Sequence, residues 1–164
     1  MNSKKLFIWG FLFMSVIGTL LHFVYEWSGN NSIVRLFAPW NESTWEHMKL
    51  LFFPMLALVL FLFFKLPEQS PIPAALSIGT LVGLVLIPIL FYTYTGVLGF
   101  SVMAIDIAIF YISVLDAFLI GWFLNDNREL ANRRGLLLTC LVILAILFFI
   151  FSYYPPEIGL FQEP

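Results

Sequence analysis

The sequence predicts an all-α, polytopic membrane protein: a bundle of about five transmembrane helices forming one domain over residues 1–164. Three observations predict it. Hydrophobic residues make up 61% of the chain and charged residues 11%, whereas soluble domains carry about 25% charged residues. So few charges cannot cover a water-facing surface. The apolar residues fall into runs of about 20, the length that crosses a hydrocarbon core of about 30 Å at about 1.5 Å per residue. The runs lack the alternation of a β-barrel, so the backbone must satisfy its own hydrogen bonds as helices.

The first helix is expected over about 6–25, after Lys4 and Lys5. Its apolar run exceeds the roughly 7–15 residues of a signal-peptide core and ends in large side chains, so it reads as a retained span. A loop rich in Gly, Asn, Ser and Pro follows, with a partly apolar middle at Ile33 to Phe37 suited to an interface. The second helix is expected over about 42–64. Ser43-Thr44-Trp45-Glu46 fits a capping box, and Asn41 is a competing cap. Pro54 falls inside this helix, where it removes one backbone hydrogen bond and is expected to kink it.

Lys65 to Pro73 holds three prolines and reads as a loop. The third helix is expected over about 74–94. Its Gly79 and Gly83 form a Gly-x-x-x-Gly pair, which permits close helix packing. Thr95 to Gly99 reads as a turn. The fourth helix, about 100–124, carries Asp106 and Asp116. A polar loop leads to the fifth helix, about 135–154, which Pro155 and Pro156 terminate. The single cysteine, Cys140, excludes an intrachain disulfide and any Cys-rich zinc site.

Five spans put the chain ends on opposite sides. With the N-terminus inside, the inner segments hold Lys4, Lys5, Lys65, Arg128, Arg133 and Arg134, and the outer segments hold Arg35 and Lys49. That asymmetry favours an N-inside, C-outside topology, as a multi-pass protein of a bacterial cytoplasmic membrane. A net charge of -2 without a basic patch gives no reason to expect a nucleic-acid partner.

The stretch Asn41 to Lys49 concentrates ionisable side chains at the mouth of an apolar run, beside His22 and Glu26 on the first helix. His22 and Glu26 are four apart and share a helix face if the first helix continues that far. Glu42 and Glu46 share another, and Ser43 and His47 share a third. Asp106 is expected about two turns below the outer start of the fourth helix, level with His22. Two imidazoles with several carboxylates suit zinc or a similar divalent ion. His22, Glu26, His47 and Asp106 are the candidate metal ligands. Glu42, Glu46 and Ser43 are the candidate catalytic groups, with Glu42 or Glu46 as general base. Asp116, deeper in the membrane, is a further polar candidate, since a bilayer carboxylate costs about 2.5–3.5 kcal/mol on insertion scales. Structural readings compete with these: Glu46 and Lys49 are three apart and can pair, and Glu46 can act as a capping partner alone.

Residues His22 to Gly29, then Ala38 to Pro54 and Tyr154 to Pro164, resemble a family of small bacterial multi-helix membrane proteins of unknown function. The Asn-Glu-Ser-x-Trp-Glu-His block, Asn41 to His47, is the most specific part. That resemblance implies a small inner-membrane protein and no activity. Ser43-x-x-x-His47 is also similar to one element of the membrane hydrolase superfamily of alkaline ceramidases and progestin/adiponectin-type receptors. Those proteins pair that element with an Asp and a later His-x-x-x-His around zinc. The chain departs from that pattern, with His22 and His47 as its two histidines and five expected helices in place of seven.

These readings converge on a membrane-embedded hydrolase or transferase, dependent on a divalent metal such as zinc. Its substrate would be a lipid or lipid-linked molecule at the outer face. A small ion-coupled transporter and a structural or accessory subunit with a buried polar network are the alternatives.

Overall fold

The computed structural model describes residues 3–164. Five long helices carry the chain: α1 (Ser3–Trp27), α2 (Thr44–Lys65), α3 (Ile72–Leu98), α4 (Met103–Leu124) and α5 (Arg134–Tyr153). Short 3₁₀ segments lie at Val34–Leu36, Arg128–Arg133 and Gly159–Phe161, and no strand occurs among the described residues. All five helices are long and apolar enough to span a membrane. Large apolar side chains such as Phe13, Val85, Leu115 and Ile143 remain exposed along their flanks.

Helix α3 is central and packs against α2, α4 and α5, while α1 lies against α2 and α4. The α3–α4 contact is the tightest because Gly79 and Gly83 face it. A Cβ added at Gly79 would lie 2.0 Å from the Ala117 carbonyl oxygen, and one at Gly83 would lie 2.7 Å from that of Ser113. Only hydrogen fits there, so the Gly-x-x-x-Gly pair sets the approach of the two backbones. In α2, Pro54 leaves the Leu50 carbonyl without its helical donor. Helix α1 crosses close to that carbonyl at Gly18, where an added Cβ would stand 2.7 Å from the oxygen.

Among the boundaries that differ from the sequence reading, three move a turn or a candidate residue. Helix α3 runs through Gly96 to Leu98, so Thr95 to Leu98 is helix and not turn. Gly99, at φ 80°, is the left-handed residue that ends it, and its N–H reaches the Thr95 carbonyl. Helix α4 begins at Met103, so Asp106 lies in its first turn and not two turns down. Helix α2 begins at Thr44 with Ser43 as N-cap, which leaves Glu42 outside the helix. Glu42 and Glu46 therefore do not share a helix face.

At one end of the bundle, Arg134 joins α5 to the C-terminus of α2. Its guanidinium donates to the Pro67 carbonyl at 2.9 Å and to the Phe63 carbonyl, and it stacks on the Phe63 ring. A cation suits the negative end of a helix. At the other end, the 28–43 loop meets the end of α5, and the C-terminal tail packs on the start of α2. Tyr153 donates to the Ser32 carbonyl at 2.8 Å, and Phe161 of the tail packs on Trp45 at 4.8 Å.

Candidate functional site

The polar block at the start of α2 divides into two sets of side chains. The first set turns into the bundle. Ser43 caps α2 by accepting from the Glu46 N–H, and Asn41 Oδ1 accepts from both the N–H and the O–H of Ser43. The capping box is half formed, because the Glu46 carboxylate does not reach back to Ser43. It goes to Lys49 instead, at 2.5 Å, and accepts from the Trp40 N–H at 3.4 Å. Glu46 is 2% exposed and Lys49 0%.

Burying this pair is tolerable because the ammonium is fully satisfied. Its three protons meet Glu46 Oε2, the Arg35 carbonyl at 2.8 Å and Ser152 Oγ at 2.6 Å. Arg35 extends the lock: its guanidinium donates to the Ser152 carbonyl and lies 3.7 Å from the Trp40 ring centroid. Glu46 and Lys49 thus tie α2 to the loop and to the end of α5. Arg35, Trp40 and Ser152 belong to this network, and sequence reading missed them. Arg35 was detectable as a lone outer arginine, but Ser152 carries no signal in an apolar helix end.

The second set faces outward. His22 of α1, Glu42 of the loop and His47 of α2 each offer one ligand atom, and the three atoms lie within 4.8 Å of one another. The His22 and His47 rings are 5.3 Å apart, tilted by 33°. His47 Nδ1 lies 3.1 Å from the Ser43 carbonyl oxygen. A carbonyl can only accept, so Nδ1 carries the proton, and in the neutral ring Nε2 presents a lone pair. That Nε2 lies 3.4 Å from Glu42 Oε2. Both side chains are open to solvent, so water can separate the two lone pairs, and a proton or a metal ion can bridge them. The spacing is long for a charge-assisted hydrogen bond, normally about 2.7–2.9 Å. It matches the separation of roughly 3.4 Å between tetrahedral ligands bonded at about 2.1 Å. His22 Nδ1 is buried and has no hydrogen-bond partner.

Beside this group is a partly enclosed cleft of about 110 Å³, lined by His22 and Glu42 together with Phe23, Tyr25, Glu26 and Trp40, among others. Glu26 is exposed there and lies outside the three-residue group. Asp106 is engaged elsewhere. The Tyr94 hydroxyl of α3 donates to Asp106 Oδ1 and accepts from the Val102 N–H at 3.1 Å, which latches the α3–α4 turn. Asp116 is half-buried on α4. No hydrogen bond or ion pair among the described residues involves it. The structure therefore brings together His22, Glu42 and His47, sets Glu26 beside them, and places Ser43, Glu46, Asp106 and Asp116 outside the group.

No curated protein and no solved structure matches the chain. A match to the Family of unknown function (DUF6512) extends over residues 1–164, and the chain belongs to that family.

Proposed function

We propose that this chain is a multi-pass membrane protein that holds a divalent metal ion, of the zinc type, on His22, Glu42 and His47, for hydrolysis or group transfer on a lipid or lipid-linked substrate. The observation that carries the reading is the facing of His47 Nε2 and Glu42 Oε2 at 3.4 Å, with His47 Nδ1 set against the Ser43 carbonyl. A carbonyl on the far ring nitrogen orients a ligating imidazole and raises its basicity. Three protein ligands with one open position is the arrangement of catalytic zinc. Such an ion would supply a water acidified to a pKa of about 7 and polarise an ester or phosphoryl oxygen.

In this reading the chain's own residues divide the work. His22 and His47 supply two nitrogens from α1 and α2, and Glu42 supplies the carboxylate from the loop. Glu26 stays off the metal, in the cleft. Ser43, Glu46 and Lys49 fix the loop and the start of α2, so that Glu42 and His47 stay in register, and they take no part in the chemistry. The exposed apolar flanks and five spanning-length helices support membrane insertion. The charge asymmetry of the loops supports an N-inside, C-outside topology, with the site at the outer face of a bacterial cytoplasmic membrane.

A turnover screen of the zinc-loaded protein in mixed micelles, over ester, amide and phosphodiester lipids, tests the reaction class. Turnover that a chelator abolishes and zinc restores is the expected result. Metal bound without turnover of any class would refute the hydrolase reading while leaving the metal site intact.

One observation favours a second reading. Asp116 is a carboxylate within a helix of spanning length, with no hydrogen-bond or ion-pair partner among the described residues, as in proton- or ion-coupled carriers. Cation- or pH-driven flux in proteoliposomes, abolished by Asp116→Asn, would support it, and no flux would count against it.

A further inference from the structure

The cleft beside the three-residue group has a chemical character of its own. Its walls include Phe23, Tyr25 and Trp40, and its carboxylates are Glu26 and Glu42. No Lys or Arg is among the lining residues. Aromatic faces with a nearby carboxylate attract an organic cation and disfavour an anion. Arg35 is not among the lining residues, although it touches the Trp40 wall. Its guanidinium stacks on Trp40 and Tyr153 and donates to the Ser152 carbonyl, so it belongs to the buried lock.

Glu42 is committed to the metal ligands. Glu26 is not: it is exposed, one helical turn from His22, and no ion pair among the described residues involves it. Water solvates this exposed carboxylate in the empty cleft, and an ammonium group is the occupant that it and the aromatic walls attract together. The cleft's size, about 110 Å³, suits a group of a few heavy atoms, since a water occupies about 30 Å³ of liquid. Phe23 and Trp27, stacked on each other at 5.7 Å and both exposed, form an aromatic rim at this end of α1. Such rims sit at the headgroup level of a bilayer.

We propose that this cleft takes a small organic ammonium group, with Glu26 as its counter-ion and Tyr25, Phe23 and Trp40 as its walls. The proposal rests on the metal-site reading and names the substrate class of that site: an amine-bearing headgroup, or the same amine free in solution. The ammonium is held on Glu26, and the remainder of the headgroup extends toward His22, Glu42 and His47.

The test uses the full chain, zinc-loaded, in nanodiscs of equal phosphatidylethanolamine and phosphatidylglycerol. Native mass spectrometry reads the retained lipid, and elemental analysis reads the zinc. The amine lipid is expected to be retained over the glycerol lipid by about tenfold, the scale of a cation–π contact plus a partly exposed ion pair. Glu26→Gln is expected to bring the ratio close to one with zinc content unchanged, which also shows that the variant folds. In detergent, ethanolamine binding without any lipid preference would identify the free amine as the ligand and uphold the shared chemistry. Equal retention of both lipids together with no ethanolamine binding would overturn the proposal. So would a Glu26→Gln variant with undiminished preference. Repeating the measurement on chelated protein separates the two claims, because absence of zinc from the wild type contradicts the metal reading alone.

Discussion

Lys49 and Glu46, one helical turn apart in α2, form a 2.5 Å ion pair shielded from solvent on every side. Removing one partner strands a charge that three elements have closed over. Lys49→Ala or Glu46→Ala is therefore expected to destabilise the protein by about 3–5 kcal/mol. The paired replacement Glu46→Leu with Lys49→Met is expected to cost much less than the sum of the single changes. Thermal unfolding in detergent, arranged as a double-mutant cycle, reads the difference. Additive losses would mean that the two side chains do not act as a pair.

Ser43 is the N-cap of α2. Its hydroxyl accepts from the Glu46 N–H and donates to Asn41. Ser43→Ala is expected to cost about 1 kcal/mol of stability, the usual value for a lost cap. Its metal content is expected to stay at the wild-type level. A variant of full stability that has lost lipid turnover would instead assign Ser43 to the chemistry.

The α3–α4 seam has no room for a methyl group at Gly79. Gly79→Ala must push the helices apart or bend the Ala117 carbonyl aside, at a cost of about 1–3 kcal/mol. Gly96→Ala, at a position with nothing within 4 Å, is expected to be neutral or stabilising, because alanine favours helix over glycine by about 1 kcal/mol. Comparing the two melting temperatures separates packing from propensity, and equal shifts would contradict the packing account.

Metal binding on two imidazoles must compete with protons. A histidine ligates only in its neutral form, so affinity rises with pH and falls as acid protonates the rings. Zinc titrations are expected to give weaker binding at about pH 5.5 than at about pH 7.5. A pH-independent affinity would exclude the histidines as ligands.

The helices were legible in the sequence because apolar runs of spanning length admit few other structures. Their ends were less so. Gly96 reads as a stop, yet a lone glycine is tolerated inside a helix, and the left-handed position falls at Gly99. The polar block before α2 marked the right region but not its division. Which of Glu42 and Glu46 turns inward depends on where the helix starts, and Ser43 as N-cap decides that by leaving Glu42 in the loop. Pairing with Lys49 was foreseeable from the three-residue spacing. The contacts that close the lock, from Arg35 and Ser152, span 14 and 103 residues of chain, and no local pattern encodes them. Asp106 was grouped with His22 by helix depth. The Tyr94 hydroxyl, contributed by another helix, was the missing partner.

The most direct test of the account is the metal content of the purified protein. Elemental mass spectrometry would compare wild type, the His22→Ala/His47→Ala double variant and Glu46→Gln, each after equilibration with zinc and removal of excess. About one ion per wild-type chain, lost in the double variant and kept in any Glu46→Gln chains that fold, is the predicted result. No bound metal in the wild type would contradict it. The approach of His47 to Glu42 would then be a solvent-exposed polar contact.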